Sequence, residues 1–259
     1  MTTSASLVDD LREAVASGGL SIAYQPQYAL GPDGVSRAPI AVEGLCRWTR
    51  GADGEVPPST FIPLAENSHM VEEIDVLMLE RGAAQVAAWQ AEGHPVGLAT
   101  NASPSHITFD YADAVIARLD DLSIDPASVT IEITESPSPQ LLPIMDGPLQ
   151  RLRALGLAIS IDDFGSRDTT IEMVEALPVD EIKIDRSLTQ RADAAATDFV
   201  ADVVDRGARH GWRVLAEGIE TVADLDRAIA RGCHRGQGYL LGAPMDVAEL
   251  ERLLSAREL

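Results

Sequence analysis

Eight short apolar segments recur along this chain, mostly separated by stretches with helical spacing. They read as strands over Ser21–Gln27, Ile40–Trp48, Pro95–Ser103, Val129–Glu135, a stretch centred on Ile159, Glu181–Asp185, Trp212–Gly218 and Gly236–Leu241. Between and around them, Leu7–Val15, Phe61–Glu66, Val71–Gln90, His106–Asp121, Leu149–Leu155, Thr170–Ala176 and Thr221–Ala230 read as helices. Phe199, Val200, Val203 and Val204 stripe another helix, and Val247, Leu250, Leu253 and Leu254 a last one. Pro148 suits a helix start at Leu149. Strands joined through helices are expected to run parallel. Eight of them, with no long linker, imply one TIM-barrel-like (β/α)8 fold of the α/β class. The first connection holds only the turn signal Gly31-Pro32-Asp33-Gly34, too short for a helix, so the first strand is expected to be antiparallel. Residues 1–259 then form a single domain, an N-terminal helix within 1–18 and a barrel over 20–259.

At 259 residues the length allows two small domains or one barrel of this kind, and a hydrophobic share of 46% is ample for a core. The formal net charge of −21 argues against binding a nucleic-acid polymer or an anionic membrane. An anionic ligand would need local cations. Leu7–Leu20 carries Asp9, Asp10, Arg12 and Glu13, which excludes a signal peptide there, and no apolar run reaches membrane-spanning length. Cys46 and Cys233 lack metal-motif spacing and read as buried apolar residues of a reducing compartment. The expected location is the cytoplasm.

The strand Leu157-Ala158-Ile159-Ser160-Ile161 ends in Asp162, Asp163, Phe164 and Gly165. Alternation along a strand sends two neighbouring side chains to opposite faces, so two adjacent acids need two partners or a shared cation. The plain reading makes them a loop start and helix cap. Other strand ends weigh against it, because they carry Glu43, Asn101, Glu132, Lys183, Glu217 and Gln237. In a barrel these ends converge on one face, where chemistry is found. An oxygen-only set of carboxylates and an amide suits Mg2+ or Mn2+ rather than zinc, and two ions bridged by Asp162 are plausible from the number of acids.

Lys183 is the only lysine in the chain and sits inside an apolar strand. A compact ammonium can hold a water or shift its pKa beside metals, where arginine cannot; the plain alternative is a structural pair with Asp185 or another carboxylate. Asp185, beyond the strand end, is expected to play no part. Arg47 could clamp a phosphate or merely offset the acids. His234 reads as solvated, and His69, His94, His106 and His210 carry no metal spacing. Residue types leave two chemistries open: metal-assisted phosphodiester hydrolysis with Lys183 positioning water, and enolate chemistry with Lys183 as base.

These motifs resemble the EAL-domain family of cyclic di-GMP phosphodiesterases. The signature appears as Glu43-Gly44-Leu45 within a stretch reaching Arg47, preceded by Tyr24-Gln25-Pro26 and followed by Phe61-Ile62-Pro63-Leu64-Ala65-Glu66. Asn101, Glu132-Ile133-Thr134-Glu135, Asp162-Asp163-Phe164-Gly165, Lys183-Ile184-Asp185, Ala216-Glu217-Gly218 and Gln237-Gly238-Tyr239-Leu240 follow in the family's order. The resemblance implies a barrel with its first strand antiparallel and hydrolysis of cyclic di-GMP to linear pGpG. It implies two Mg2+ or Mn2+ ions, with Ca2+ inhibitory. Glu43, Asn101, Glu132 and Asp162 would bind one metal, and Asp162 with Asp163 the second, Glu217 contributing. Lys183 would contact the attacking water, giving Lys183, Glu217 and Glu43 catalytic roles, while Gln25, Arg47, Leu45 and Gln237 would meet substrate and Glu135 would brace a loop. A homodimer is implied, and a regulatory protein partner is a further expectation.

The chain departs from the family at three places. Gly44 replaces alanine, and His234 stands where an acid is frequent. Ser166-Arg167-Asp168-Thr169-Thr170-Ile171 replaces threonine-glycine-tyrosine-serine-serine-leucine. Arg167 removes a glycine and Asp168 an aromatic from a loop that in the family helps hold substrate and the second metal. Weaker second-metal binding and reduced or lost turnover are expected. An effector that binds cyclic di-GMP without hydrolysis is the first alternative, and a protein-interaction adapter the second.

Overall fold

Apolar and polar residues alternate along the barrel strands, and the alternation decides what faces where. The computed structural model describes residues 4–51, 54–134, 141–166 and 169–256. Helix α1 (Ser4–Ser17) leads into β1 (Leu20–Gly31), which turns back as the short β2 (Gly34–Val35). Then come β3 (Ala41–Thr49), β4 (Glu55–Val56), α2 (Pro58–Asn67), α3 (Val71–Ala91), β5 (Gly97–Ala102) and α4 (Phe109–Leu122). The chain continues through β6 (Val129–Thr134), α5 (Leu142–Ala154), β7 (Ala158–Phe164), α6 (Ile171–Glu175), β8 (Glu181–Ile184), α7 (Arg186–Thr189) and α8 (Ala194–His210). Last are β9 (Arg213–Ala216), α9 (Val222–Ala230), β10 (Arg235–Gly236) and α10 (Val247–Ser255).

The sheet runs β2-β1-β10-β9-β8-β7-β6-β5-β3-β4, and a further pairing of β1 with β3 closes it into an eight-stranded barrel, β2 and β4 being appended strands. β1 is antiparallel to both its neighbours, with Leu20 opposite Trp48 and Tyr28 opposite Gly236, as the short first connection requires. The neighbours from β3 round to β10 are parallel. The outward residues Ile131, Ile133, Ile159, Ile161, Ile182, Ile184 and Val214 are buried in one cluster with helix side chains such as Val86, Val115, Leu149 and Val200. A smaller cluster joins α1 and α2 to β3 through Leu11, Phe61 and Trp48. The lumen carries polar groups instead. At its base the fully buried Glu181 takes Arg213 Nε at 3.1 Å and Arg235 Nη1 at 3.0 Å.

Three sequence expectations need correction. α5 begins at Leu142, with Pro143 in its first turn, and Pro148 lies inside it; the proline that starts the helix is the earlier one. The eighth strand is only Arg235–Gly236, because the chain turns onto the strand-nine loop at Gly238. Gly238 has φ 156°, and a Cβ there would stand 2.3 Å from the Ile219 backbone nitrogen, so only glycine permits this approach. Of the two cysteines, Cys233 is buried but Cys46 is only partly so. Among the described residues, no helix is long and apolar enough to cross a membrane.

Candidate active site

The two adjacent aspartates reach the same site through a defect in the sheet. Ile161 pairs with Ile182 and Phe164 with Ile184, so β7 advances three residues where β8 advances two. This is a β-bulge, and Asp163 within it has φ 55°, a left-handed conformation uncommon outside glycine. The extra residue cancels the alternation that would have sent the acids apart. Ligand oxygens of Asp162, Asp163 and Glu217 consequently lie within 4.8 Å of one another, as do those of Glu43, Glu132 and Asp162. Asp162 belongs to both groups. Such an oxygen-only donor set fits hard divalent cations.

Lys183 rises from β8 into the middle of the lumen and is fully buried. Its Nζ stands 2.7 Å from Asp162 Oδ1, 3.0 Å from Glu217 Oε1, 3.1 Å from Glu132 Oε2 and 3.5 Å from Glu43 Oε2. Burial works to lower its pKa, but Asp162, Glu132, Glu217 and Glu43 outweigh that and hold it well above the ordinary lysine value. Lys183 is an ammonium here and a donor, which disfavours the enolate reading that needs it as a base. The structural pairing therefore exists, with four carboxylates rather than with Asp185.

One ammonium does not balance these acids. Burial, then the Glu43 carboxylate, raises Glu132 well above the usual range; burial raises Glu217 likewise, with Asp162 and Glu43 adding to it. Burial also raises Asp162, and burial with Asp162 beside it pushes Asp163 up to about 6. Glu43 goes the other way. Burial opposes its charge, but Lys183 and hydrogen bonds from Gln237 and Asn101 hold it below the usual range. Asn101 Nδ2 donates to Glu43 Oε1 at 3.1 Å, leaving its own oxygen as the amide's acceptor.

A cavity of about 590 Å3 opens above the acids, with Glu43, Asn101, Asp162 and Asp163 on one side and Leu45, Ile62, Pro63, Ile74 and Met78 on another. A second cleft of about 250 Å3 is bounded by Gln25, Asp163, Asp185, Arg186, Gln237 and Tyr239. Asp185 thus borders the smaller cleft as well as capping α7. Arg47 lines the larger cavity, where its Nη1 donates to the Cys46 carbonyl at 3.0 Å and its Nε lies 3.5 Å from Glu55. Gln25 and Gln237 are buried and bonded to each other, Gln237 Nε2 to Gln25 Oε1, at 3.0 Å. A Cβ on Gly44 would meet Ile22 Cδ1 at 2.9 Å. His234 is exposed, and its Nδ1 accepts from the Val214 backbone. Glu135, Arg167 and Asp168 lie outside the described residues.

Two features near the site escaped the sequence. Gln27, fully buried on β1, bonds both Glu132 and Gln237. The buried His106 ring lies 3.0 Å from Asp75 Oδ2, and Asp75 also accepts from the Ser103 backbone two residues past Asn101. Nothing in the spacing signals either.

The model of the EAL domain matches residues 8–244. The chain belongs to the EAL-domain family. Cyclic di-GMP phosphodiesterase PA2567 of Pseudomonas aeruginosa is 33% identical over 250 residues, covering 95% of this chain and 42% of that protein. The bifunctional diguanylate cyclase/cyclic di-GMP phosphodiesterase MucR of the same organism is 34% identical over 252 residues, covering 94% of this chain and 36% of its own. This EAL domain thus spans less than half the length of these relatives. A solved structure described as the PaMucR phosphodiesterase in complex with c-di-GMP superposes with a TM-score of 0.85 at 33% identity, covering 94% of this chain and 99% of that one.

Proposed function

We propose that this EAL domain hydrolyses cyclic di-GMP to linear pGpG with the help of bound Mg2+ or Mn2+. The carrying observation is the bulge at Asp162–Asp163, which gathers two overlapping carboxylate groups around the Lys183 ammonium beneath an open cavity. The relatives named for this activity and the complex of the similar MucR domain support the choice of substrate. Glu43, Asn101, Glu132 and Asp162 would hold one ion, and Asp162, Asp163 and Glu217 a second. Bound there, the ions supply Lewis-acid stabilisation of charge on the phosphoryl group.

The chain's own residues do the rest. Lys183 donates to the oxygen of the incoming water and aims it at phosphorus. Glu217, 3.0 Å from that ammonium and ionised once a cation has taken the place of its own proton, takes the water's proton. The water oxygen bonds to phosphorus as the bond from phosphorus to the 3′ oxygen breaks, and the proton taken up by Glu217 passes to the leaving oxygen. Arg47 and Gln25 hold the phosphates, Gln237 keeps Glu43 ionised, and Leu45 offers an apolar face to a base.

Incubation of the protein with cyclic di-GMP and Mn2+, followed by chromatography of the product, tests this. Metal-dependent pGpG that disappears in Glu43→Ala and Lys183→Ala is expected; an active Lys183→Ala enzyme would remove the role given to the lysine. A second reading, binding without turnover, is favoured by the altered loop at Ser166–Ile171. Tight binding of cyclic di-GMP without product, with turnover appearing in the Arg167→Gly, Asp168→Tyr double variant, would establish that reading.

A further inference from the structure

Three glutamine amides form a chain through the lumen, and the Glu43 carboxylate beside the middle one fixes its direction. Gln27 Nε2 donates to Glu132 Oε1 at 3.4 Å and to Gln237 Oε1 at 3.0 Å. Gln237 Nε2 donates to Glu43 Oε2 at 2.6 Å and to Gln25 Oε1 at 3.0 Å, and Gln25 Nε2 donates to the Gly242 carbonyl at 3.1 Å. An ionised carboxylate can only accept. Glu43, the acid that its surroundings hold ionised, therefore requires the NH2 end of Gln237. The Gln237 oxygen must then face Gln27, the neighbour with a donor to give. Reversing any one amide puts acceptor against acceptor.

We propose that Gln27 is a positioning residue, setting the orientation of the Gln237 amide and so keeping Glu43 and Glu132 arranged as cation ligands. This rests on the metal-site reading above. Gln27 is fully buried beneath the ligands, so it acts through them and not on substrate. Without its donor, the Gln237 oxygen is free to turn toward Glu43. Glu43 would then lose its shortest hydrogen bond and one of the groups that favour its charged form.

The test is Mn2+ binding without substrate, read from the electron paramagnetic resonance signal of free Mn2+. It compares wild type, Gln27→Met, Gln237→Met and the double variant, methionine matching glutamine in length without its hydrogen bonds. Residues that orient ligands typically change metal affinity by about tenfold or more, so Gln27→Met is expected to weaken Mn2+ binding by roughly that factor. Because Gln27 acts through Gln237, the double variant should lose far less than the product of the two single losses. Fully multiplicative losses, or wild-type affinity in Gln27→Met, would overturn the relay while leaving the metal site standing. A wild-type protein that takes up no Mn2+ would overturn the metal-site reading and the relay with it. Melting in EDTA checks folding; should Gln27→Met not fold, Gln27→Asn withdraws the same donors by one methylene and carries the same expectation.

Discussion

Asp163 combines a left-handed backbone, φ 55°, with a carboxyl pushed up to about 6. Strain and charge crowding at one residue are tolerated where the surroundings compel them, and here they bring a second acid to a shared point. Together with Glu132, Glu217 and Asp162, which burial raises too, this sets the sign of a pH dependence. A carboxyl whose pKa is higher folded than unfolded keeps a proton that the unfolded chain has released, so stability falls as pH rises between the two values. For Asp163 the window runs from its ordinary 3.8 to about 6, and for the deeper acids it extends upward. Asp193, held down to about 2 chiefly by its hydrogen bond from Arg191, titrates below that window and leaves it unchanged. In EDTA the melting temperature should therefore drop between pH 5 and pH 7. Saturating Mg2+ or Mn2+ should shrink the drop, because a cation does what the retained protons did. An equal drop with and without cation would mean that these acids are not the source.

Among the elements, α9 bears on the site because its first turn anchors the segment leaving Glu217. Asp224, buried in that turn, accepts from the Thr221 backbone at 2.8 Å, the Thr221 hydroxyl at 2.8 Å and the Glu220 backbone at 3.3 Å, and pairs with Arg227. Thr221 returns a bond from the Asp224 backbone, completing a capping box. Losing a cap costs about 0.5–2 kcal/mol, and this one serves three donors and an arginine, so Asp224→Ala should cost about 2 kcal/mol in urea unfolding. A loss below about 0.5 kcal/mol would show that the turn holds without it. The strands were legible because apolar residues on alternate positions must meet helices, and the acids at their ends could be read directly as oxygen ligands. Local spacing hid what depends on distant partners. Gln27 meets residues 105 and 210 positions away, and the Asp75–His106 pair joins a helix to the segment after β5. The bulge was hidden too, because alternation alone predicts that Asp162 and Asp163 diverge.

At the scale of the whole molecule, the net charge of −21 opposes the approach of a ligand carrying two phosphates. The field of an entire protein acts over the Debye length, about 30 Å at 10 mM salt and about 8 Å at 150 mM. Arg47 at the larger cavity and Arg186 at the smaller cleft are local cations, but they act at contact distance, after the ligand has crossed that field. Screening should then help encounter, the reverse of its effect on a basic protein steering an anion. With Mn2+ held saturating, kcat/KM for cyclic di-GMP is expected to rise between about 10 and 150 mM monovalent salt. The rise should lie in KM and not in kcat, because chemistry within the lumen is shielded from bulk ions. A flat or falling kcat/KM would mean that the local arginines, with bound cations, already reverse the potential at the cavity mouth. Arg47→Gln would then separate the causes. If the arginine dominates the potential, the variant should acquire the rising salt dependence; if the whole-molecule charge dominates, wild type should show the rise and the variant should steepen it.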